Sequence, residues 1–305
     1  MMKWPETITI KEVGPRDGLQ NEKIFIPTED KIAWINKLSK SGLSSIEVTS
    51  FVNPKWIPAL ADASVVMAGI KREPGITYSA LVPNRQGLER AFAANIDEAA
   101  VFMSASETHN LKNINKTIVD TLPVLKEIVQ DANAAGKKTR GYVSTVFGCP
   151  YEGVVDTEAV VRVSESLFDM GIDELSLGDT IGVANPRQVQ EVLDVLLKRF
   201  PVDKLAMHFH DTRGTALANI LASLDMGITV FDSSAGGLGG CPYAPGASGN
   251  AATDDLLYML HGMGIHTGVD EEKILAASAF IQEKIGYALP SKNLQAAGAH
   301  DKRRT

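Results

Sequence analysis

The chain has 305 residues, of which 44% are hydrophobic and 22% charged, and its formal net charge is −7. A chain of this length and make-up can bury a large core without staples, which excludes a disordered or fibrous protein. The acidic balance argues against general nucleic-acid binding, which needs a basic surface to displace counterions.

Two cysteines, Cys149 and Cys241, make neither a disulfide framework nor a cysteine-rich zinc site, and they fit a reducing compartment. The opening MMKWPETITI has no basic segment ahead of an apolar stretch, and no apolar run is long enough to span a bilayer. The expectation is a cytoplasmic protein with no membrane partner.

Along the chain, short β-rich runs alternate with longer stretches of helical periodicity. The first predicted strand is Thr7–Val13, followed by a predicted helix over Asp30–Ser41. Strands at Ser45–Thr49 and Thr77–Val82 precede a helix at Asn84–Ala94, and a strand at Glu98–Met103 precedes one at Ile118–Ala135. Then come the pairs Thr139–Val146 with Thr157–Met170, Glu174–Leu177 with Pro186–Arg199, and Leu205–His210 with Thr215–Met226. The eighth strand, Val230–Ser234, runs into a glycine-rich loop and two further helices, Thr253–His261 and Glu271–Ile285.

Eight strands, each followed by helical sequence, predict an α/β fold of the TIM (β/α)8 barrel type with an additional C-terminal helix. The rival, an open doubly wound sheet, usually has fewer strands and a glycine-rich turn after its first. Here the first strand ends in Glu12-Val13-Gly14-Pro15-Arg16-Asp17-Gly18, which is not that turn. No linker divides the chain, so residues 1–305 are expected to form one catalytic domain, with the small, charged tail 296–305 mobile.

A barrel places its chemistry at the C-terminal ends of its strands. The polar residues that look out of place fall there. They are Arg16 and Asp17 after the first strand, Glu47 and Ser50 at the second, Asp179 after the sixth, and His208 and His210 ending the seventh. Side chains two apart on a strand share a face, so His208 and His210 can aim two imidazoles at one point while Phe209 turns into packing. Such a pair is half a site for a divalent cation; the alternative is two histidines hydrogen-bonded inside the barrel. A carboxylate ligand could come from Asp17, because strand one neighbours strand eight in a closed barrel, and an amide oxygen from Asn250. The plainer readings of these two are a turn residue and a helix cap. Mixed histidine, carboxylate and amide donors suit Mg2+ or Mn2+ better than a closed structural zinc.

The segment from Ala235 to Asn250 reads AGGLGGCPYAPGASGN. Its glycines impose a large ordering cost, as in loops that close over a ligand. No Walker lysine or dinucleotide-binding context accompanies it. Cys241 sits in mid-loop, where a thiol has little packing role, and reads as a nucleophile or proton carrier; Cys149 reads as structural.

Four stretches together resemble one family. They are Glu12–Glu22 (EVGPRDGLQNE), Glu47–Lys55 (EVTSFVNPK), Ser176–Thr180 (SLGDT), and the histidine strand with GGLGGCPYAPGASGN. They resemble the 3-hydroxy-3-methylglutaryl-CoA lyase family over about residues 7–290, and the cysteine loop is the most specific part. The arginine–aspartate turn alone would indicate only the wider metal-dependent barrel superfamily, which includes isopropylmalate and homocitrate synthases.

The resemblance implies a TIM barrel, usually dimeric, that uses Mg2+ or Mn2+ and takes an acyl-CoA substrate. It places metal ligands at Asp17, His208, His210 and Asn250, the transition-state arginine at Arg16, the loop cysteine at Cys241, and supporting carboxylates at Glu47 and Asp179. Phe209 and Arg213 stand where many members carry Cys and Tyr. Phe209 is expected to have little effect, whereas Arg213 could bear on electrostatics or substrate choice. The implied reaction splits the acyl-CoA into acetyl-CoA and acetoacetate. Arg16 would stabilise the enolate oxygen, Cys241 would return the proton, and His208 or Asp179 would act as base. The alternatives are a condensing enzyme of the superfamily and a non-catalytic CoA- or metal-binding protein. For Arg16 the alternative is a buried ion pair with Glu47.

Overall fold

The computed structural model describes residues 4–239 and 249–301. Its elements, in order, are β1 (Thr9–Glu12), α1 (Thr28–Leu38), β2 (Ser45–Ser50), α2 (Ala63–Gly69), β3 (Thr77–Leu81), α3 (Arg85–Ala93) and β4 (Glu98–Ser104). They continue with α4 (Glu107–Ile114), α5 (Ile118–Ala134), β5 (Lys138–Ser144), α6 (Thr157–Met170), β6 (Glu174–Asp179) and α7 (Pro186–Leu196). The rest are β7 (Leu205–Phe209), α8 (Ala216–Asp225), β8 (Val230–Ser233), α9 (Thr253–Gly262), α10 (Glu271–Ile285) and α11 (Lys292–Asp301).

All eight strands are parallel and close in sequence order, with β1 returning to β8 through the register Thr9↔Val230 to Glu12↔Ser233. Closure removes both sheet edges and brings the loop after β1 beside the loops after β7 and β8. The β2–β3 register slips between Glu47 and Thr49. Such a bulge re-aims side chains, and here it lies at a carboxylate of the site.

The strands are buried by helices on the outside and by their own side chains within. Ile10, Ile46, Val101, Leu175, Met207 and Phe231 are all at most 1% exposed, and each such side chain contributes roughly 1.5–3 kcal/mol by leaving water. Helix starts follow local chemistry. Asn84, Ser106, Thr117, Asp156, Asn185 and Asp270 each accept a hydrogen bond from a backbone N–H of the first turn, satisfying donors that a helix leaves orphaned.

Three short helices depart from the sequence reading. α2 and α4 are seven and eight residues long, too short for a periodic apolar stripe to register. The third is α11, which runs through 296–301, part of the stretch expected to be a mobile tail. Its start is fixed by Asp255, whose carboxylate accepts from Ser291 Oγ and from the backbone N–H groups of Lys292 and Asn293 at 2.7–3.0 Å, while Leu294 is buried in the core. Among the described residues no helix is long and apolar enough to cross a membrane.

Candidate active site

After β1 the backbone winds into a single π-helical turn, Gly14–Gly18, with the N–H groups of Arg16, Asp17 and Gly18 all donating to the Val13 carbonyl. A Cβ at Gly14 would stand 2.6 Å from Glu12 Oε1, so only glycine fits there. This turn sets Arg16 and Asp17 side by side at the barrel mouth, both buried.

Arg16 Nε donates to Glu47 Oε2 at 2.7 Å, and its Nη1 donates to Asp17 Oδ1 at 2.5 Å. The ion pair with Glu47 considered for Arg16 therefore exists, yet Arg16 still lines the cavity described below. The pair with Glu47 aims the guanidinium, and one fork remains for Asp17. Burial opposes the arginine's charge, but Glu47 and Asp17 more than offset it and hold Arg16 fully protonated.

His208 ends the apolar run of β7, and His210 follows one residue beyond the strand. Their Nε2 atoms each lie 3.8 Å from Asp17 Oδ2, and the three residues present one ligand atom each within 4.8 Å of one another. Phe209 points the other way and packs on Phe147, with ring centroids 5.8 Å apart. Burial and the neighbouring His208 lower the His210 pKa to about 4, so its ring is neutral at pH 7. Burial alone would raise Asp17, but Arg16, His208 and His210 outweigh it and bring the carboxyl to about 2. A neutral His210 imidazole beside an anionic carboxylate is the pairing of protonation states a cation needs.

Asn250 reaches the cluster through pairing with the end of β7. His210 and Asn250 form an antiparallel bridge, Asp211 N–H donates to the Gly249 carbonyl, and Ala251 N–H to that of Phe209. The Asn250 amide donates from Nδ2 to Asp17 Oδ2 at 2.9 Å and to the Leu238 carbonyl at 3.1 Å. Gly239, at φ 118°, leaves room for that amide, since a Cβ there would lie 2.6 Å from Asn250 Nδ2. Asn250 Oδ1 and His210 Nδ1 are buried with no hydrogen-bond partner among the described residues. An orphaned amide oxygen beside a carboxylate and two imidazoles fits a hard divalent cation.

The cluster opens into a cavity of about 600 Å³. Arg16, Asp17, His208 and His210 form its floor; Trp56, Phe102, Asn113 and Lys116 are among its walls. Asn113 lines it, and Lys23 does not. Glu47 and Asn250 stand behind the floor residues. Asp179 departs from the expectation that it faces the cavity: its oxygens accept from the N–H groups of Val183 and Ala184, so it ties down the loop after β6. Arg213 donates to the carbonyls of Ile181 and Gly182 in that same loop and lines no part of the cavity. Cys241 lies outside the described residues. Cys149 is buried, 3.0 Å from Ser106 Oγ, in keeping with a structural role.

Sequence reasoning missed an inner layer of polar residues. Tyr142 lines the cavity, donates to Glu47 Oε2 at 3.2 Å, and lies 5.4 Å beneath the Arg16 guanidinium. Below it, Arg140 grips Asp232, which faces His208 Nδ1 at 3.3 Å. Polar residues at alternate positions of a strand buried on both faces were the available signal.

The chain matches the HMGL-like family over residues 7–281. It is 65% identical to the hydroxymethylglutaryl-CoA lyase of Bacillus subtilis over 96% of this chain and 98% of that protein. It is 52% identical to the cytoplasmic 3-hydroxy-3-methylglutaryl-CoA lyase of Rattus norvegicus over 96% of this chain and 85% of that one. Among solved structures, the Bacillus subtilis HMG-CoA lyase superposes with a TM-score of 0.97, at 64% identity, over 97% of this chain and all of that chain. An HMG-CoA lyase from Acinetobacter baumannii, solved in complex with coenzyme A and 3-methylmalate, gives a TM-score of 0.92 at 41% identity over 97% of each chain.

Proposed function

The chain belongs to the HMGL-like family, and from that premise we propose that it is a hydroxymethylglutaryl-CoA lyase, cleaving 3-hydroxy-3-methylglutaryl-CoA to acetyl-CoA and acetoacetate. The observation that carries the reading is the convergence of Arg16, Asp17, His208 and His210 on the floor of one cavity, with Asn250 from a third segment behind them on Asp17. A protein that only bound CoA or metal would not need the guanidinium there.

Asp17, His208, His210 and Asn250 would hold the divalent cation, Mg2+ or Mn2+. When bound, it would supply a Lewis acid that acidifies the substrate's tertiary hydroxyl and orients the acyl group. Arg16 carries a permanent charge fixed in place by Glu47 and Asp17, so it can meet the negative charge developing on the thioester enolate without reorganising. Removal of the hydroxyl proton falls to a base at the cavity: Asp179 is engaged by loop amides, and His208, which lines the cavity, accepts a proton only when its Nε2 does not hold the cation. Cys241 is the proposed donor that protonates the enolate carbon. We place the enzyme in the cytoplasm as a homodimer, each chain a single catalytic domain.

The rival within the superfamily condenses acetyl-CoA with a 2-oxo acid. Two assays on one preparation separate them: acetoacetate formed from 3-hydroxy-3-methylglutaryl-CoA, and free CoA thiol released from acetyl-CoA plus a 2-oxo acid. The proposed function requires the first and not the second. Thiol release without acetoacetate would assign the chain to the condensing enzymes.

A further inference from the structure

The three cation-facing side chains are not held alike. His210 Nδ1 is buried and has no hydrogen-bond partner among the described residues, whereas His208 Nδ1 lies 3.3 Å from Asp232 Oδ2. Asp232 projects from β8, the strand beside β7, at the position paired with His208. Its side chain is fully buried. Arg140 of β5 crosses the barrel interior to clamp it, with Nη2 to Oδ1 at 2.7 Å and Nη1 to Oδ2 at 3.1 Å, and Ser176 Oγ of β6 donates to Oδ2 at 2.9 Å. Arg140 is itself held by Glu174, at 2.6 Å from Nε, and Glu174 by Lys11 at 2.9 Å. A chain of charges thus runs through the packed interior and ends on one nitrogen of one histidine.

We propose that Asp232 is the positioning residue that fixes His208 as its Nδ1–H tautomer, keeping the Nε2 lone pair aimed at Asp17 and the cation site. The inference rests on the cation-site reading given above. The logic is that of donors and acceptors. A carboxylate clamped by two guanidinium N–H groups and a serine hydroxyl offers the imidazole only an acceptor, so Nδ1 must carry the hydrogen. The remaining nitrogen then has its lone pair free, as it must for ligation or for accepting a proton. Among the described residues His210 Nδ1 has no such partner, and the backbone bridge to Asn250 is what ties down its position.

Asp232→Asn reverses the polarity of this contact with little change in shape. At Oδ2 the amide nitrogen meets Arg140 Nη1 at 3.1 Å but can donate to Ser176 and to His208; at Oδ1 it would face only the closer arginine donor, Nη2 at 2.7 Å. It therefore settles at Oδ2, makes Nδ1 an acceptor and moves the ring hydrogen to Nε2, where the cation should bind. Outer-shell losses of this kind typically lower metal affinity by about 10–100-fold.

The experiment has two parts. The first is on the unaltered protein without added metal: 15N–1H correlation spectra of the histidine rings, with His208 identified by its absence in His208→Gln. The Nδ1–H tautomer is expected, and a predominantly Nε2–H ring would overturn the proposal whatever any variant does. The second is Mn2+ binding by electron paramagnetic resonance for the unaltered protein, Asp232→Asn, Ser176→Ala, His208→Ala and His210→Ala. We expect Mn2+ affinity to fall about 10–100-fold in Asp232→Asn, and within a few-fold of normal in Ser176→Ala, which leaves the carboxylate in place. Normal affinity in Asp232→Asn, with the two His→Ala variants impaired, would sink the role of Asp232 alone. Normal affinity in both His→Ala variants would instead sink the cation site on which the inference rests.

Discussion

Asp17 divides its two carboxylate oxygens between opposite duties: Oδ1 accepts from Arg16 Nη1 at 2.5 Å, and Oδ2 faces the Nε2 atoms of His208 and His210 at 3.8 Å each. One carboxylate therefore couples the charge meant for the enolate to the site meant for the cation. Both residues sit on the same π-helical turn, Gly14–Gly18.

Replacing Arg16 separates these duties. Lysine keeps a positive charge but loses the fork that meets Glu47 and Asp17 together. Arg16→Lys is expected to lower kcat by about 10²–10³-fold, with Mn2+ affinity no weaker than normal. Steady-state kinetics and Mn2+ binding on the same preparation test this, and near-normal turnover would remove Arg16 from the chemistry.

His210→Ala deletes a neutral nitrogen donor without disturbing Arg16. Mn2+ affinity is expected to fall by at least the roughly 10–100-fold that loss of an outer partner costs. An unchanged paramagnetic resonance titration would count against ligation.

How much of this was legible in the sequence depends on range. His208 and His210 could be paired because a strand repeats every two residues. Asp17 could be brought to them because a closed barrel makes the first and last strands neighbours. Asn250 stood out as a candidate, but the bridge to His210 that delivers it is a contact over forty residues of sequence and leaves no local mark. Arg140, Tyr142 and Asp232 were missed although Arg140 and Tyr142 alternate in KTRGYVS and Asp232 interrupts an apolar strand. A polar side chain inside a parallel barrel must have a partner there, and that argument could have flagged them. The cap that Asp255 gives α11 also joins distant positions, so the alanine- and glycine-containing helix read as a tail.

Cys241→Ala addresses the returning proton. The expected result is a loss of cleavage of about 10²–10⁴-fold with an unchanged thermal midpoint. Retained activity would place the donor elsewhere.

Stability should carry a pH signature from Glu12, buried beneath the turn that bears Arg16. Burial raises its carboxyl from 4.5 to about 7, despite hydrogen bonds from Ala235, Thr253 and Gly14 that favour the charged form. Between those values the folded chain keeps a proton that the unfolded chain has released. The contribution is therefore fully present below about pH 4.5 and is lost as pH rises through about 7, an effect on the order of a few kcal/mol. Glu12→Gln cannot ionise, so its denaturant midpoint should fall less between pH 5 and 8 than that of the unaltered protein. Equal slopes would show that Glu12 does not titrate in this window.

The account turns on a cation held by Asp17, His208, His210 and Asn250 beside Arg16, and the most direct measurement is acetoacetate released from 3-hydroxy-3-methylglutaryl-CoA by purified protein before EDTA, after EDTA, and after Mn2+ is restored. Release that stops with EDTA and returns with Mn2+ is the predicted result. Cleavage that continues undiminished in excess EDTA, or no acetoacetate with Mn2+ bound, would contradict it.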